Sequence, residues 1–202
     1  MDIGASAGIM MKCASEKGYQ VYGVEVAKDC AEAIAKCFGE DSVFSGYFDE
    51  NFSKWDEHPF DIISLMDVLE HLRNPADVLN KIYQLLKVSG YVLITTPDSS
   101  SFSRLVMGKH WSHFSSEHLF IFSRHNIKNL LRKCGFEVIK IMALPKYFNA
   151  NYLMSKFPVG GSSFNNACIR LLRLIPKKFR YKNIPLFSGQ MFILAKKPAS
   201  KK

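Results

Sequence analysis

The sequence predicts an α/β fold built around a mostly parallel β-sheet. Helical spacing and short β-rich runs alternate from the start of the chain. The apolar run Phe60–Met66 is typical of a strand buried on both faces, as strands of parallel sheets are. With 202 residues, of which 48% are hydrophobic, the chain is long enough to bury one sizeable core. We therefore expect a single domain spanning residues 1–202.

Helices and strands alternate through the first half of the chain. Glycines after the first two helical patterns and the pair Asn74-Pro75 before the third are typical boundary signals. The predicted helices are Gly8–Lys17, Ala27–Phe38 and one that begins at Asn74-Pro75 and closes at Gly90. The predicted strands are Tyr19–Val26, Ser42–Ser45, Phe60–Met66 and Tyr91–Thr96.

The second half of the chain continues the alternation and then interrupts it. Phe102–Met107 and Ser123–Lys133 are predicted helices, separated by a loop rich in aromatic residues and histidine. The last two strands are predicted at Phe136–Met142 and Gln190–Lys196. Residues 145–188 between them form a basic insertion with two further helices, and we expect it to cap a site or contact a surface.

The net charge of +9 is unevenly distributed along the chain. Residues 1–123 carry 10 Lys and Arg against 17 Asp and Glu, whereas residues 124–202 carry 17 against 1. A basic region of this kind suits an anionic substrate, nucleic acid or a membrane surface. A solvated basic surface without a specific partner explains the pattern equally well.

Cysteine usage and hydropathy predict a soluble, cytoplasmic protein. The five cysteines are odd in number and never arranged as C-x-x-C, so the sequence favours neither a disulfide framework nor a zinc site. No apolar run approaches the roughly 18 to 20 residues that a bilayer-spanning helix needs.

A glycine turn and a downstream carboxylate indicate a nucleoside-type cofactor site. Gly4 and Gly8 lie where the first strand turns into the first helix, and glycine allows a ligand to approach the backbone closely. Glu25 ends the second strand about 20 residues later, where carboxylates of such folds accept hydrogen bonds from ribose. A glycine turn alone is weak evidence for a cofactor site, but a glycine turn followed by a carboxylate at this spacing is stronger evidence.

Several motifs together resemble class I S-adenosylmethionine (SAM)-dependent methyltransferases, in the branch of the ubiquinone-biosynthesis O-methyltransferases. The resemblance implies a Rossmann-like three-layer sandwich with strand order 3-2-1-4-5-7-6 and strand 7 antiparallel. Strand 1 is largely missing, because only Met1 precedes Asp2. The motifs are Asp2–Gly8, Val24–Val26, Phe60–Leu72, Leu86–Tyr91, Thr96–Asp98, Gly108–Trp111, Glu117–Leu119 and Gly135-Phe136.

Residue by residue, the resemblance implies where SAM binds. Asp2, Gly4 and Gly8 would surround its methionine part, Glu25 its ribose and Tyr47-Phe48 its adenine. Relatives often have an aspartate where Tyr47 stands, and this departure puts the contact with the adenine amino group in doubt. Many relatives have a glycine where Ser6 stands, which is a milder change because serine is small. The full implied set is Asp2, Gly4, Ala5, Ser6, Gly8, Glu25, Tyr47, Phe48, Met66 and Asp67.

Asp67, Glu70 and His71 lie on one face if the chain is helical there. The resemblance implies that these residues hold a divalent cation such as Mg²⁺ beside the acceptor oxygen. The alternative, that Glu70 and His71 only cap and orient neighbouring loops, is at least as consistent with the sequence.

For a hydroxyl acceptor, His71, His113 and His118 are candidate general bases, although the last two also suit a loop-bracing role.

The function predicted is methyl transfer from SAM to a small-molecule or lipid-linked acceptor, through a hydroxyl oxygen, by direct in-line displacement. A glycan intermediate is the second choice of acceptor. The basic 145–188 segment predicts peripheral contact with an anionic membrane. Nucleic acid is disfavoured as the acceptor, because Met66–Leu69 lacks the Asp/Asn-Pro-Pro-aromatic motif of base-amino methyltransferases.

Two alternatives compete with this prediction. A nicotinamide-dependent oxidoreductase shares the strand, turn and acidic residue, but its turn needs G-x-G-x-x-G, and Gly4 and Gly8 are spaced G-x-x-x-G. A truncated or degenerate methyltransferase-like domain would bind SAM or a partner without turnover. The shortness of strand 1 motivates that alternative and the expectation that further residues precede Met1 in the natural protein.

Overall fold

The computed structural model describes residues 1–156 and 163–199 and contains one seven-stranded sheet. The strand order is β3-β2-β1-β4-β5-β7-β6, β7 runs antiparallel to β5, and the pairs from β3 to β5 are parallel, which confirms the predicted topology. The strands are β1 Asp2–Ile3, β2 Gly23–Glu25, β3 Val43–Ser45, β4 Phe60–Met66, β5 Leu86–Pro97, β6 Glu137–Phe148 and β7 Ile184–Lys196.

Seven α-helices occur in the described ranges, and the predicted helices all appear among them. None of them is long and apolar enough to cross a membrane. They are α1 Ile9–Ser15, α2 Lys28–Phe38, α3 Pro75–Leu85, α4 Phe102–Met107, α5 Arg124–Lys133, α6 Ala150–Lys156 and α7 Ser163–Arg173. Short 3₁₀ turns lie at Glu40–Ser42, Leu69–His71, Gly108–His110 and Lys177–Phe179.

The core lies around the central strands β4 and β5. Ile63, Leu65 and Ile94 are fully buried there. The amphipathic helices α3 and α5 add Leu79 and Ile127 to the same cluster, because their apolar side chains recur at helical spacing on one face. Burial on both faces of β4 follows from its position between two strands and between helical layers.

The chain leaves helical geometry earlier after α3 than the sequence predicted. The helix ends at Leu85 rather than near Gly90, and the backbone is already extended from Leu86, which pairs with Phe60. Ser89 adopts a left-handed φ of 67° and its N–H donates to the carbonyl of Lys197. Pairing with distant segments therefore overrides the local helical pattern.

Strand β1 contains only two residues, and a cavity of 520 Å³ lies at the amino ends of β1 and its neighbours. Tyr22 and Phe60 contribute to its lining. The Met1 nitrogen donates to the carbonyl of Ile62 at 2.8 Å. Asp2 and Ile3 still pair with both β2 and β4, so the carboxyl end of β1 is held in register.

The chain divides into two compact units, one of residues 1–143 with 189–202 and the other of residues 144–188. Within the second unit, α6 and α7 contact each other. Strands β6 and β7 are longer than predicted, and the division falls inside both of them.

A long excursion between β5 and α5 is closed at its base by Asp98. The Asp98 N–H donates to the carbonyl of Gly189 at 2.7 Å, and Ser99 donates to the carbonyl of Phe122 at 2.9 Å. The buried Asp98 carboxylate accepts a hydrogen bond from Arg124 Nε at 2.7 Å. These contacts fix both ends of the segment that carries His113 and His118.

We expect Arg124→Gln to lower the free energy of unfolding by about 1–3 kcal/mol, because it leaves the buried Asp98 carboxylate without its charged partner. Urea denaturation followed by tryptophan fluorescence measures the change. Lys128→Gln removes an exposed charge from the same helix and serves as the control, with an expected change within about 0.5 kcal/mol. Equal losses in the two variants would contradict the role assigned to Asp98.

Candidate functional site

The loop between β1 and α1 has an unusual backbone. Gly4 and Gly8 have left-handed φ angles of 72° and 71°, which glycine adopts without a Cβ penalty. A Cβ on Gly4 would lie 2.5 Å from Val68 Cγ2, so the loop packs directly against the residues that follow β4. Ser6 also has a positive φ of 49°, a conformation that costs a serine about 1 kcal/mol.

Glu25 connects two loops at the end of β2. Its Oε2 accepts from the Ser6 N–H at 2.6 Å and its Oε1 accepts from the Ala27 N–H at 2.8 Å. The side chain is buried. A carboxylate offers about four acceptor positions, so Glu25 retains capacity for further hydrogen-bond donors while holding the glycine loop.

A pocket of 680 Å³ opens beside this loop, at the carboxyl ends of β1, β2 and β3. Four predicted residues line it, namely Gly4, Tyr47, Phe48 and His71. Tyr47 is largely exposed, whereas Phe48 is buried against Phe52, with ring centroids 4.8 Å apart. Apolar and polar residues not singled out from the sequence complete the lining, among them Val26, Asp49, Val68, Leu72 and Asn74.

Ala5, Ser6 and Gly8 belong to the glycine loop but are not among the residues that line this pocket. Asp2 lies below the loop, where its Oδ1 accepts from the Ser64 hydroxyl at 2.6 Å. Burial raises the pKa of Asp2 above its ordinary value, and the Ser64 hydrogen bond opposes that rise. Asp2 therefore joins the first strand to β4 at the base of the site.

Asp67 follows Met66 at the end of β4 with a left-handed φ of 57°. Its N–H donates to the carbonyl and hydroxyl of Thr95, and its Oδ1 accepts from the Thr95 hydroxyl at 2.6 Å. The Gln190 amide also donates to Asp67 Oδ1. Gln190 was missed in the sequence because it lies 123 residues further along, within an ordinary strand pattern.

The predicted cation set of Asp67, Glu70 and His71 is not the one that converges. The structure instead brings His118 to Glu70 and His71, with one potential ligand atom of each within 4.8 Å of the others. The carboxylate of Asp67 is held by Thr95 and Gln190, because β7 passes beside the end of β5 there. His118 comes from the excursion closed by Asp98, which local spacing alone does not connect to β4.

Backbone carbonyls fix the orientation of both histidines. His71 Nδ1 lies 2.9 Å from the carbonyl of Glu117, and His118 Nδ1 lies 2.7 Å from the carbonyl of His113. A carbonyl only accepts, so each Nδ1 carries the proton and Nε2 of the neutral ring keeps its lone pair. The two rings meet edge to face, with centroids 4.9 Å apart.

Glu70 and His113 complete this cluster. Glu70 is 1% exposed, and burial raises its pKa. Its Oε2 makes no hydrogen bond among the described residues, and the same holds for the buried Gln190 Oε1. His113 packs against Trp111 with ring centroids 4.9 Å apart and stacks near His118, which agrees with a bracing position.

A family model described as a methyltransferase domain matches residues 1–141. Among curated proteins, the ubiquinone biosynthesis O-methyltransferase of Yersinia pestis (strain Pestoides F) is 28% identical over 109 residues. That match covers 52% of this chain and 45% of the relative. The chain therefore aligns with less than half the length of this relative.

Solved structures of low sequence identity share the fold. A SAM-dependent methyltransferase from Archaeoglobus fulgidus superposes with a TM-score of 0.64 at 19% identity, covering 96% of this chain and 84% of that chain. The YcgJ protein of Bacillus subtilis gives a TM-score of 0.63 at 18% identity, covering 98% and 91%.

We expect Gly4→Ala to weaken binding of S-adenosylhomocysteine at least about tenfold, because the new methyl group would displace Val68, which lines the pocket, and strain the left-handed backbone. Isothermal titration calorimetry measures the affinity. Ser6→Gly is the matched change in the same loop, and relief of its positive φ should raise the free energy of unfolding by up to about 1 kcal/mol. Unchanged affinity in Gly4→Ala would contradict the placement of the loop at the cofactor.

Asp2→Asn tests the buried carboxylate through the pH dependence of stability. The folded-state pKa of Asp2 is raised, so its contribution to stability is greatest below the ordinary aspartate pKa and declines as pH rises through the folded value. The variant keeps an oxygen for Ser64 but loses the charge. Urea denaturation between pH 4 and pH 8 should show the variant gaining stability over wild type as pH rises, and a difference independent of pH would refute this.

Proposed function

The chain belongs to the methyltransferase domain family, and on that basis we propose that it transfers a methyl group from SAM to a hydroxyl oxygen of a small acceptor. One observation carries the proposal: His71 lines the pocket beside the glycine loop and also contacts His118, with Nε2 of both rings free of their backbone anchors. A cofactor pocket and candidate bases thus lie side by side.

The glycine loop, the pocket beside it and Glu25, which contacts the loop without lining the pocket, support SAM as the methyl donor. The positive-φ glycine loop lets the amino-acid part of the cofactor approach the backbone, and Glu25 retains acceptor capacity toward the ribose hydroxyls. Tyr47 and Val68 offer apolar surface for the flat adenine ring. No covalent enzyme intermediate is needed for this chemistry.

Methyl transfer then requires alignment and removal of one proton. As the acceptor oxygen forms its bond to the methyl carbon, the bond from that carbon to the sulfonium sulfur breaks, and the sulfur keeps the electron pair as S-adenosylhomocysteine. The acceptor hydroxyl proton passes to Nε2 of His118 or His71. Their Nδ1 anchors hold the lone pairs in place, which lowers the cost of orientation.

Two buried polar atoms beside the segment that follows β4 support a polar acceptor. Glu70 Oε2 and Gln190 Oε1 are buried and make no hydrogen bond among the described residues. An unpaired buried polar atom costs about 1–3 kcal/mol. An acceptor with several hydroxyl groups would satisfy such atoms, whereas a wholly apolar acceptor would not.

Glu70, His71 and His118 would also hold a divalent cation, since they offer one carboxylate oxygen and two imidazole nitrogens. The backbone carbonyls on both Nδ1 atoms resemble the outer hydrogen bonds of metal-binding histidines. This donor set suits a first-row transition ion better than Mg²⁺, which prefers oxygen ligands. A bound cation would polarise the acceptor hydroxyl in place of a histidine base.

We expect His118→Asn to lower kcat about 10²–10⁴-fold with little change in affinity for S-adenosylhomocysteine, because His118 does not line the cofactor pocket. His71→Asn should lower both kcat and that affinity. Formation of S-adenosylhomocysteine from SAM with pooled hydroxylated acceptors measures turnover, and calorimetry measures binding. His125→Asn, an exposed histidine of α5, is the control and should match wild type.

Metal analysis of the purified protein separates the two uses of the histidines. Stoichiometric zinc, manganese or iron that is lost in His118→Asn would assign a cation role, and metal-free protein with full turnover would assign a base role. Tight cofactor binding without methylation of any acceptor class would instead identify a binding domain without turnover. Absence of cofactor binding would refute the proposed function.

A further inference from the structure

Nearly all of the net charge belongs to the compact unit of residues 144–188. That segment contains eight Lys and Arg and no Asp or Glu, whereas the whole chain has a net charge of +9. The remaining residues are therefore close to neutral. We call residues 170–182 of this unit the basic tip, since six of these thirteen residues are Lys or Arg.

The helical part of the basic tip exposes leucine beside arginine. Leu171 is 66% exposed and Leu174, just after α7, is 78% exposed. Arg170 and Arg173 are exposed beside these leucines, because residues three and four apart on a helix are neighbours. Ile169, one turn before Arg173, is buried and marks one edge of the exposed leucine and arginine strip.

The turn that follows is tied back to the helix end. Arg180 Nε donates to the carbonyl of Ile175 and its Nη2 donates to the carbonyl of Arg173, each at 2.8 Å. These bonds satisfy carbonyls near the C-terminus of α7, where a cation is favoured. They also hold Phe179 and Tyr181, 50% and 76% exposed, next to that helix end.

We propose that the basic tip docks on the surface of an anionic lipid bilayer. Leucine and aromatic side chains would enter the headgroup region, while Lys177, Lys178 and the neighbouring arginines pair with lipid phosphates. Charge complementarity selects an anionic partner, and the exposed leucines select a bilayer over nucleic acid. Nucleic acid would use phosphate contacts and aromatic stacking but would leave Leu171 and Leu174 in water.

Sedimentation of the full chain with phosphatidylcholine vesicles, with and without 25% phosphatidylglycerol, tests the proposal. We expect binding only to the anionic vesicles, and weaker binding at higher salt because the Debye length shortens. Removing the charges in Lys177→Gln/Lys178→Gln should weaken binding roughly tenfold or more. Leu171→Ser/Leu174→Ser should weaken it as well, since the apolar side chains would enter the bilayer.

The matched control is Lys128→Gln/Lys133→Gln, which removes two exposed lysines from α5, outside residues 144–188. It should bind anionic vesicles as wild type does. Equal weakening in this control would show a nonspecific charge effect and overturn the proposal. Failure to bind anionic vesicles, or tip-dependent binding to a single-stranded oligonucleotide in place of vesicles, would also overturn it.

A tryptophan introduced at the tip reports insertion directly. Emission of Leu174→Trp should shift to the blue and be quenched by brominated lipid in anionic vesicles, since its side chain would leave water. Val88→Trp, at an exposed position of β5, should be unaffected. Quenching of both variants, or of neither, would contradict docking through the tip.

Discussion

The candidate site depends on the parallel register of the central strands. Ile3 is paired with both Val24 and Leu65, and Leu65 is paired with Ile94, so these four residues form one row across the sheet. The chain leaves β1 and β2 within one residue of this row, at Gly4 and Glu25. Because parallel strands end at the same edge, segments far apart in sequence deliver their functional side chains to one place. A slip of one residue would turn every side chain of a strand to the opposite face.

The parts of the site that could be predicted from sequence are those carried by adjacent residues. The glycine loop and the carboxylate at the end of β2 follow from a strand, a turn and a short spacing. The pocket position of Tyr47 was implied by the family resemblance. The meeting of His118 with Glu70 and His71 depends instead on closure of the excursion at Asp98, a tertiary contact without a local pattern. The contact of Gln190 with Asp67 is likewise set by the return of β7 beside β5. The early end of α3 could not be predicted from local sequence either, because Leu86 is extended through its pairing with Phe60 in β4.

Several features of the site cost stability and are concentrated where ligands would bind. Ser6 and Asp67 have left-handed φ angles, and the Asp2 and Glu70 carboxyls are buried with raised pKa values. Strain and desolvation of this kind persist only when the surrounding structure enforces them. The fully buried residues of β4 and β5 supply that enforcement, since they anchor the strands from which these side chains emerge. The arrangement favours a site whose polar groups are oriented before the acceptor arrives.

The two compact units differ in charge: residues 144–188 carry most of the net positive charge, and the other unit is nearly neutral. A nearly neutral unit carries the candidate pocket and the Glu70, His71 and His118 cluster, so the electrostatics of the candidate site are set by individual groups such as Glu25 and Glu70. The basic unit lacks acidic residues that would neutralise it internally, and Arg180 is committed to backbone carbonyls. The exposed cations Arg170, Arg173, Lys177 and Lys178 are the ones that the proposed docking would place against an external anionic surface. The proposed methyl transfer and the proposed docking together favour a hydroxylated acceptor carried on a lipid, because each proposal supplies one of the two chemical features of such a molecule.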